Sequence, residues 1–126
     1  MTVKRGFFTE STTASPVPDI IAPGLMILFI GYNPGMRSAA TGHHFAGRSN
    51  RFWKLLADAG LTPRRYAADE DAALLELGFG ITNIVARPTP AAADLRPEEF
   101  TAGRDILRGK LERYRPRVAC FVGIGV

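Results

Sequence analysis

The sequence predicts an α/β domain built on a mainly parallel sheet, and three observations carry that reading. Leu25 to Tyr32 (LMILFIGY) is continuously apolar, of strand length, and closed by Asn33-Pro34-Gly35. A strand buried on both faces reads this way, as inside a parallel sheet. Two further apolar runs of strand length follow, Gly80 to Val85 (GITNIV) and Val118 to Val122 (VACFV). Stretches with helical spacing separate them, and strand–helix alternation calls for crossover connections between parallel strands.

The elements follow in chain order. Met1 to Pro18 is rich in Ser, Thr and Pro without a sustained period, and is expected to form a flexible tail ahead of a single domain over 19–126. Pro34 and Gly35 end the first strand in a tight turn. Met36 to Ser49, with Gly42 and Gly47, reads as a long loop. Ser49 or Asn50 is placed to cap a helix in which Phe52, Leu55, Leu56 and Ala59 keep helical spacing up to Gly60. Asp69 to Leu77 reads as a second helix, with acids in its first turn and Gly78 beyond its end. After the second strand, Arg87-Pro88-Thr89-Pro90 opens another loop. Phe100, Gly103, Leu107, Leu111 and Tyr114 then lie along one face of a third helix that Pro116 stops. Trp53 and Cys120 are expected in the core. The sequence ends at Val126, just past the third strand, so the sheet is expected to lack C-terminal strands.

The totals narrow the function classes. A chain of 126 residues holds one domain with a modest core. Sixteen Lys+Arg against twelve Asp+Glu give +4, which permits a polyanionic partner without demanding one. A single cysteine, Cys120, excludes an internal disulfide and any multi-cysteine zinc site. No apolar run approaches the roughly 20 residues of a membrane span, and the N-terminus carries no apolar core of signal-peptide length. A cytoplasmic protein without membrane contact is expected.

In open parallel sheets, ligands sit beyond the C-terminal ends of the strands. The segment there is Gly31 to Ser38 (GYNPGMRS). A Walker phosphate loop fails at two defining places, Met36 and Arg37. Gly123-Ile124-Gly125 lacks the third glycine and the helix of a dinucleotide fingerprint. The segment reads better as a rigid presenter of one polar side chain: Pro34 fixes the backbone after Asn33, and Gly35 leaves space for something flat. His43-His44-Phe45, in the loop that follows, suits a pocket for a planar heterocycle, the aromatic stacking and polar groups bonding its edge. The competing reading is a surface loop with Phe45 tucked onto the core. No metal site is expected, since adjacent histidines do not readily share one ion. Arg37, Arg48 and Arg51 flank the pocket as candidates for phosphate contact. Arg104, Arg108, Lys110, Arg113, Arg115 and Arg117 form a second basic run, read as a solvated helix face or a phosphate-facing one.

Together these residues resemble the mismatch-specific uracil/thymine-DNA glycosylase family. The first motif of that family is visible as Gly31-Tyr32-Asn33-Pro34-Gly35, its continuation as Thr41-Gly42-His43-His44-Phe45 and Asn50-Arg51-Phe52-Trp53-Lys54. Gly80 to Val85, Arg87-Pro88-Thr89, and the stretch from Glu99-Phe100 through Tyr114-Arg115-Pro116 match as well. The resemblance implies a three-layer α/β/α fold and a base-flipping, monofunctional hydrolase that uses neither metal nor cofactor. Its implied partner is double-stranded DNA carrying G·U or G·T mismatches. By similarity, Asn33 positions the attacking water and Phe45 stacks on the extruded base. Main-chain groups near Tyr32 and Phe45 read the pyrimidine edge, Gly35 and Ser38 line the pocket, and His44 tunes uracil against thymine.

The chemistry of the residues agrees. A carboxamide is a poor proton acceptor, so Asn33 orients water rather than deprotonating it strongly. Such a reaction needs early sugar-cation character and a leaving group stabilised as an anion by fixed N–H groups. Two departures from the family bear on activity. Ala86 stands where members often carry an acid, and the second motif, a loop that enters the duplex, would lie beyond Val126. The alternative expectation is therefore a catalytically weak or inactive fragment that still binds mismatched DNA.

Overall fold

A computed structural model of the protein describes residues 16–123. Three parallel strands, β1 (Ile27–Gly31), β2 (Phe79–Asn83) and β3 (Val118–Phe121), form one sheet in the order β2-β1-β3. The central strand is the most apolar one, as burial on both faces requires. Registry pairs Ile27 with Phe79 and Val118, and Gly31 with Asn83, so the strands end together at one rim.

Side chains alternate across the sheet and build two cores. Leu28 and Ile30 face Ile84, Val85, Leu95 and Leu107, the last on helix α3 (Pro97–Tyr114). Phe29 and Ile81 face Phe52, Trp53 and Leu56 of helix α2 (Phe52–Asp58), together with Leu74. Helices thus cover both faces, giving the three layers. Two glycines in these contacts are dictated by closeness. A Cβ on Gly103 would lie 2.2 Å from the Ile84 carbonyl oxygen, and one on Gly80 2.3 Å from that of Ile20. Helix α3 and the incoming chain can approach β2 only where no side chain intervenes.

Several local expectations are corrected. The long loop after Gly35 begins as a short helix α1 (Met36–Thr41), ended by Gly42 at φ +75°. The two-glycine spacing disguised a turn and a half of helix that carries no apolar stripe. The second helix runs as 3₁₀ turns over Ala68–Leu77 rather than as an α-helix. Three consecutive acids, Asp69 to Asp71, interrupt the apolar face that would hold an α-helix against the sheet. Asn50 does satisfy the start of α2, its Oδ1 accepting the Phe52 N–H at 2.9 Å, with Arg51 at the cap position itself. Trp53 is buried, whereas Cys120 is only half-buried. The strand that carries Cys120 is an edge, with Val118 and Phe121 about half exposed at 50% and 47%.

The tail expected over 1–18 lies outside the described residues up to position 15. From Pro16 onward the chain is described, and Val17 is buried. Ile20 then pairs antiparallel with Ile81 through two backbone hydrogen bonds of 2.8 and 2.9 Å, covering the outer edge of β2. Among the described residues no helix is long and apolar enough to cross a membrane.

Candidate active site

The strand rim opens into a pocket of 480 Å³, bordered by Gly31 to Ser38, by His44 and Phe45, and by Asn83 and the loop around Thr89. That volume is ordinary for a small-molecule site, about 300–1,000 Å³. A larger hollow of 880 Å³ lies between α3 and the exposed end of β3, but it holds no histidine, carboxylate or carboxamide. The smaller pocket carries the chemistry.

Its floor is zipped shut by the backbone. The Gly31 carbonyl accepts the Ile84 N–H, the Tyr32 carbonyl the Val85 N–H, and the Pro34 carbonyl the Thr89 N–H, at 2.9 to 3.1 Å. Across this seam Asn33 spends both amide protons. Its Nδ2 donates to the Arg87 carbonyl and to the Thr89 hydroxyl, each at 2.8 Å. Oδ1 accepts no hydrogen bond among the described residues, and Asn33 lines the pocket. The Arg87 guanidinium is itself clamped bidentately by Glu99 at 2.7 and 2.9 Å. Glu99 also accepts the Arg96 N–H at the start of α3. These bonds hold the Glu99 carboxyl at about 2, the Arg87 guanidinium being the chief cause.

The opposite wall is the His43–Phe45 turn. The His44 Nε2 lies 2.8 Å from the Pro18 carbonyl. A carbonyl only accepts, so the proton sits on Nε2 and the lone pair on Nδ1. Burial pushes the His44 imidazole below its ordinary value, against the pull of the Pro18 carbonyl and of Asp71 and Asp19. Phe45 stacks on Phe52, ring centroids 4.0 Å apart. Its φ of +51° is in the left-handed region. The two sequence readings of Phe45 therefore both hold in part: it packs on the core and it borders the pocket. Gly31 is a glycine for this wall, since a Cβ there would meet Asn83 Oδ1 at 2.8 Å and Phe45 Cζ at 3.6 Å.

A family model for the uracil DNA glycosylase superfamily matches residues 18–126. The chain belongs to that superfamily. It is thereby a member of a family of DNA glycosylases, hydrolases that act on DNA.

On this glycosylase fold the residues singled out by sequence fall into place unevenly. Asn33, Tyr32, Gly35, Ser38, His44, Phe45 and Arg37 all border the pocket. Space beside Gly35 is open, with nothing within 4 Å of a Cβ position. Ser38 is buried, and its Oγ accepts the Ala46 N–H at 3.1 Å, tying α1 to the end of the Phe45 turn. The Tyr32 ring turns away to meet Phe100 edge-on at 5.9 Å. Arg48 and Arg51 are exposed beside the pocket-lining Gly47 and Asn50 rather than in the lining itself. Of the α3 basic run, Lys110 is withdrawn from any phosphate track by its 2.6 Å pair with Asp19.

Three polar residues of the site escaped the sequence reading. Thr89 anchors Asn33, Asn83 faces Gly31 across the register, and Asp71 reaches the histidine turn. Asn83 had a usable signal: a carboxamide at the C-terminal end of an apolar strand, where ligands gather. Asp71 had none, being brought in from a segment 27 residues away along the chain.

Proposed function

We propose that this glycosylase hydrolyses the N-glycosidic bond of uracil mispaired with guanine, acting on a base flipped out of duplex DNA. The observation that carries the proposal is the locked amide of the pocket-lining Asn33, with both protons spent on Arg87 and Thr89 and Oδ1 accepting no hydrogen bond among the described residues. An acceptor fixed in this way orients one proton of a water and aims its oxygen lone pair. Apart from Arg37, the side chains that line the pocket are uncharged, which suits an uncharged planar base. His44 is kept neutral by burial, Asn83 and Ser38 are neutral, and the Phe45 ring supplies a flat face.

In the reaction the C1′–N1 bond breaks and its electron pair leaves with uracil N1. The sugar acquires cation character, which the DNA phosphates favour, and the water held at Asn33 bonds to C1′. The water's proton passes to solvent, and the departing uracil is protonated in turn. Products are free uracil and an abasic deoxyribose bearing a C1′ hydroxyl. Asn33 acts by placement rather than basicity, so a slow enzyme is expected. Flipping costs least at a mismatch, which favours G·U over A·U. Thymine adds one methyl to the same edge, and we assign its discrimination to His44, which lines the pocket with Ser38.

The test is base release from a labelled duplex with one G·U pair, with A·U and G·T duplexes beside it, for wild type and Asn33→Ala. The proposal expects release by wild type that is fastest on G·U and falls at least a hundredfold in Asn33→Ala. Borohydride should trap no covalent complex, as a water nucleophile requires. Equal rates for the two proteins would overturn the role of Asn33, and equal rates on G·U and A·U the mismatch preference.

A further inference from the structure

Asp71 is a buried carboxylate, 4% exposed, outside the lining of the pocket. It sits in the 3₁₀ run Ala68–Leu77, yet both of its oxygens serve the histidine turn. Oδ2 accepts the His44 backbone N–H at 2.9 Å, and Oδ1 lies 3.0 Å from His43 Nδ1. The next residue is Phe45, whose left-handed φ of +51° is unfavourable for an aromatic side chain. A residue in such a conformation persists only where its surroundings over-determine it.

Those surroundings are countable. The His44 ring is held by the Pro18 carbonyl at 2.8 Å, and its own carbonyl accepts the Trp53 indole N–H at 3.3 Å. On the far side of Phe45, the Ala46 N–H is held by Ser38 Oγ. Asp71 is the one charged group in this set. A buried ionic group contributes little net stability compared with an apolar side chain of similar size. What it does contribute here is a particular backbone path, the one that aims the Phe45 ring.

We infer that Asp71 is a positioning residue for base recognition, holding the strained His43–Phe45 turn so that Phe45 presents a fixed stacking face to the pocket. The inference rests on the proposed role of Phe45 as the surface for the flipped base. Stacking of a base on an aromatic side chain is worth enough that loosening the ring should cost about tenfold in affinity for a flipped base.

The experiment compares two duplexes. One carries 2′-fluoro-deoxyuridine opposite guanine, whose fluorine disfavours cation formation and so prevents turnover. The other carries an abasic site at the same place and offers nothing to stack. Asp71→Ala should bind the first about tenfold more weakly than wild type and the second unchanged. In the free protein the only tryptophan, Trp53, should become more open to acrylamide quenching, because its partner is the His44 carbonyl. Asp71→Asn keeps an acceptor for the His44 N–H and should stay within about twofold of wild type on both duplexes.

Equal losses on both duplexes, or no loss in a folded Asp71→Ala, would overturn the inference. Should Asp71→Ala fail to fold, Asp71→Leu, which keeps the volume but offers no acceptor, decides: a selective loss on the uridine duplex supports the inference, and equal losses or no loss overturn it. Phe45→Ala run in parallel separates the two layers. If Phe45→Ala leaves the ratio of affinities unmoved, the stacking role itself fails. If Phe45→Ala lowers the ratio and Asp71→Ala does not, only the role of Asp71 fails.

Discussion

The Asn33 amide and the Thr89 hydroxyl are joined at 2.8 Å, and the same hydroxyl donates onward to the Ala91 carbonyl at 2.6 Å. This relay fixes which way the carboxamide points. Were the amide flipped, Oδ1 would face the Arg87 carbonyl, acceptor against acceptor, and the Thr89 hydroxyl could not serve both neighbours. The orientation of Asn33 is therefore a property of the 87–91 loop as much as of Asn33.

Removing the hydroxyl tests this directly. Thr89→Val preserves shape but leaves one Asn33 proton unpaired, at a cost of about 1 kcal/mol. Base release should fall about fivefold, since roughly 1.4 kcal/mol is a factor of ten in rate. Duplex affinity should change less than about twofold, because the Thr89 hydroxyl is spent on Asn33 and Ala91 rather than on DNA. Thr89→Ser keeps the oxygen and should restore the rate. Parallel losses of binding and release would place Thr89 in the fold rather than in the chemistry.

The contact of α3 with β2 yields a stability prediction with a built-in control. Alanine is favoured over glycine inside a helix by about 1 kcal/mol. At Gly109, where nothing lies within 4 Å of a Cβ, that gain should appear as a raised Tm. At Gly103 the Cβ would sit 2.2 Å from the Ile84 oxygen and 3.0 Å from its carbon. Backbone does not yield cheaply, so overpacking of about 1–3 kcal/mol outweighs the propensity gain. Gly103→Ala should melt lower than wild type and Gly109→Ala higher; the same sign for both would contradict the close approach.

The difference between these glycines marks how far the sequence was legible. Gly103 stood on the apolar face with Phe100 and Leu107, so its position was readable, though not the carbonyl that requires it. The three strands were legible for the same reason: their apolar runs need cover on both sides. The 3₁₀ run was not, because acids near a helix start and a glycine past its end are shared by α and 3₁₀ turns. Pocket residues presented by one continuous motif, Tyr32 to Ser38, were legible. Those brought together by tertiary closure were not: Asp71 meets His44, and Thr89 meets Asn33 from 56 residues away.

Acid should weaken the fold through His44. Burial lowers its folded pKa below the ordinary 6.5. Between the two values the unfolded chain binds more protons than the folded one, so stability rises with pH across that window and is lost on acidification through it. Glu70 and Glu99, each held at about 2 mainly by an arginine partner, stay ionised throughout and add no slope there. Melting followed from about pH 7.5 down to about pH 5.5 should show a falling Tm for wild type. His44→Gln should start lower, having lost the Pro18 bond, but fall less. An unchanged slope in that variant would assign the acid lability elsewhere.

The last prediction concerns where DNA lies. Arg37 borders the pocket, and Arg48 and Arg51 are exposed beside it, none of them in an ion pair among the described residues. Arg64 is equally exposed but is held by Glu70. Each phosphate contact contributes about 0.9 to the slope of log affinity against log salt. Changing Arg37, Arg48 or Arg51 singly to Gln should flatten that slope by about 1 while leaving mismatch preference intact, whereas Arg64→Gln should leave it alone. A slope that responds only to the first three runs the phosphate backbone along the mouth of the pocket, where the flipped base must enter. If none of the three moves it, the track belongs to the α3 face, where Arg104, Arg108 and Arg113 are exposed. The base would then have to reach Asn33 from the side of Phe100 and Tyr32.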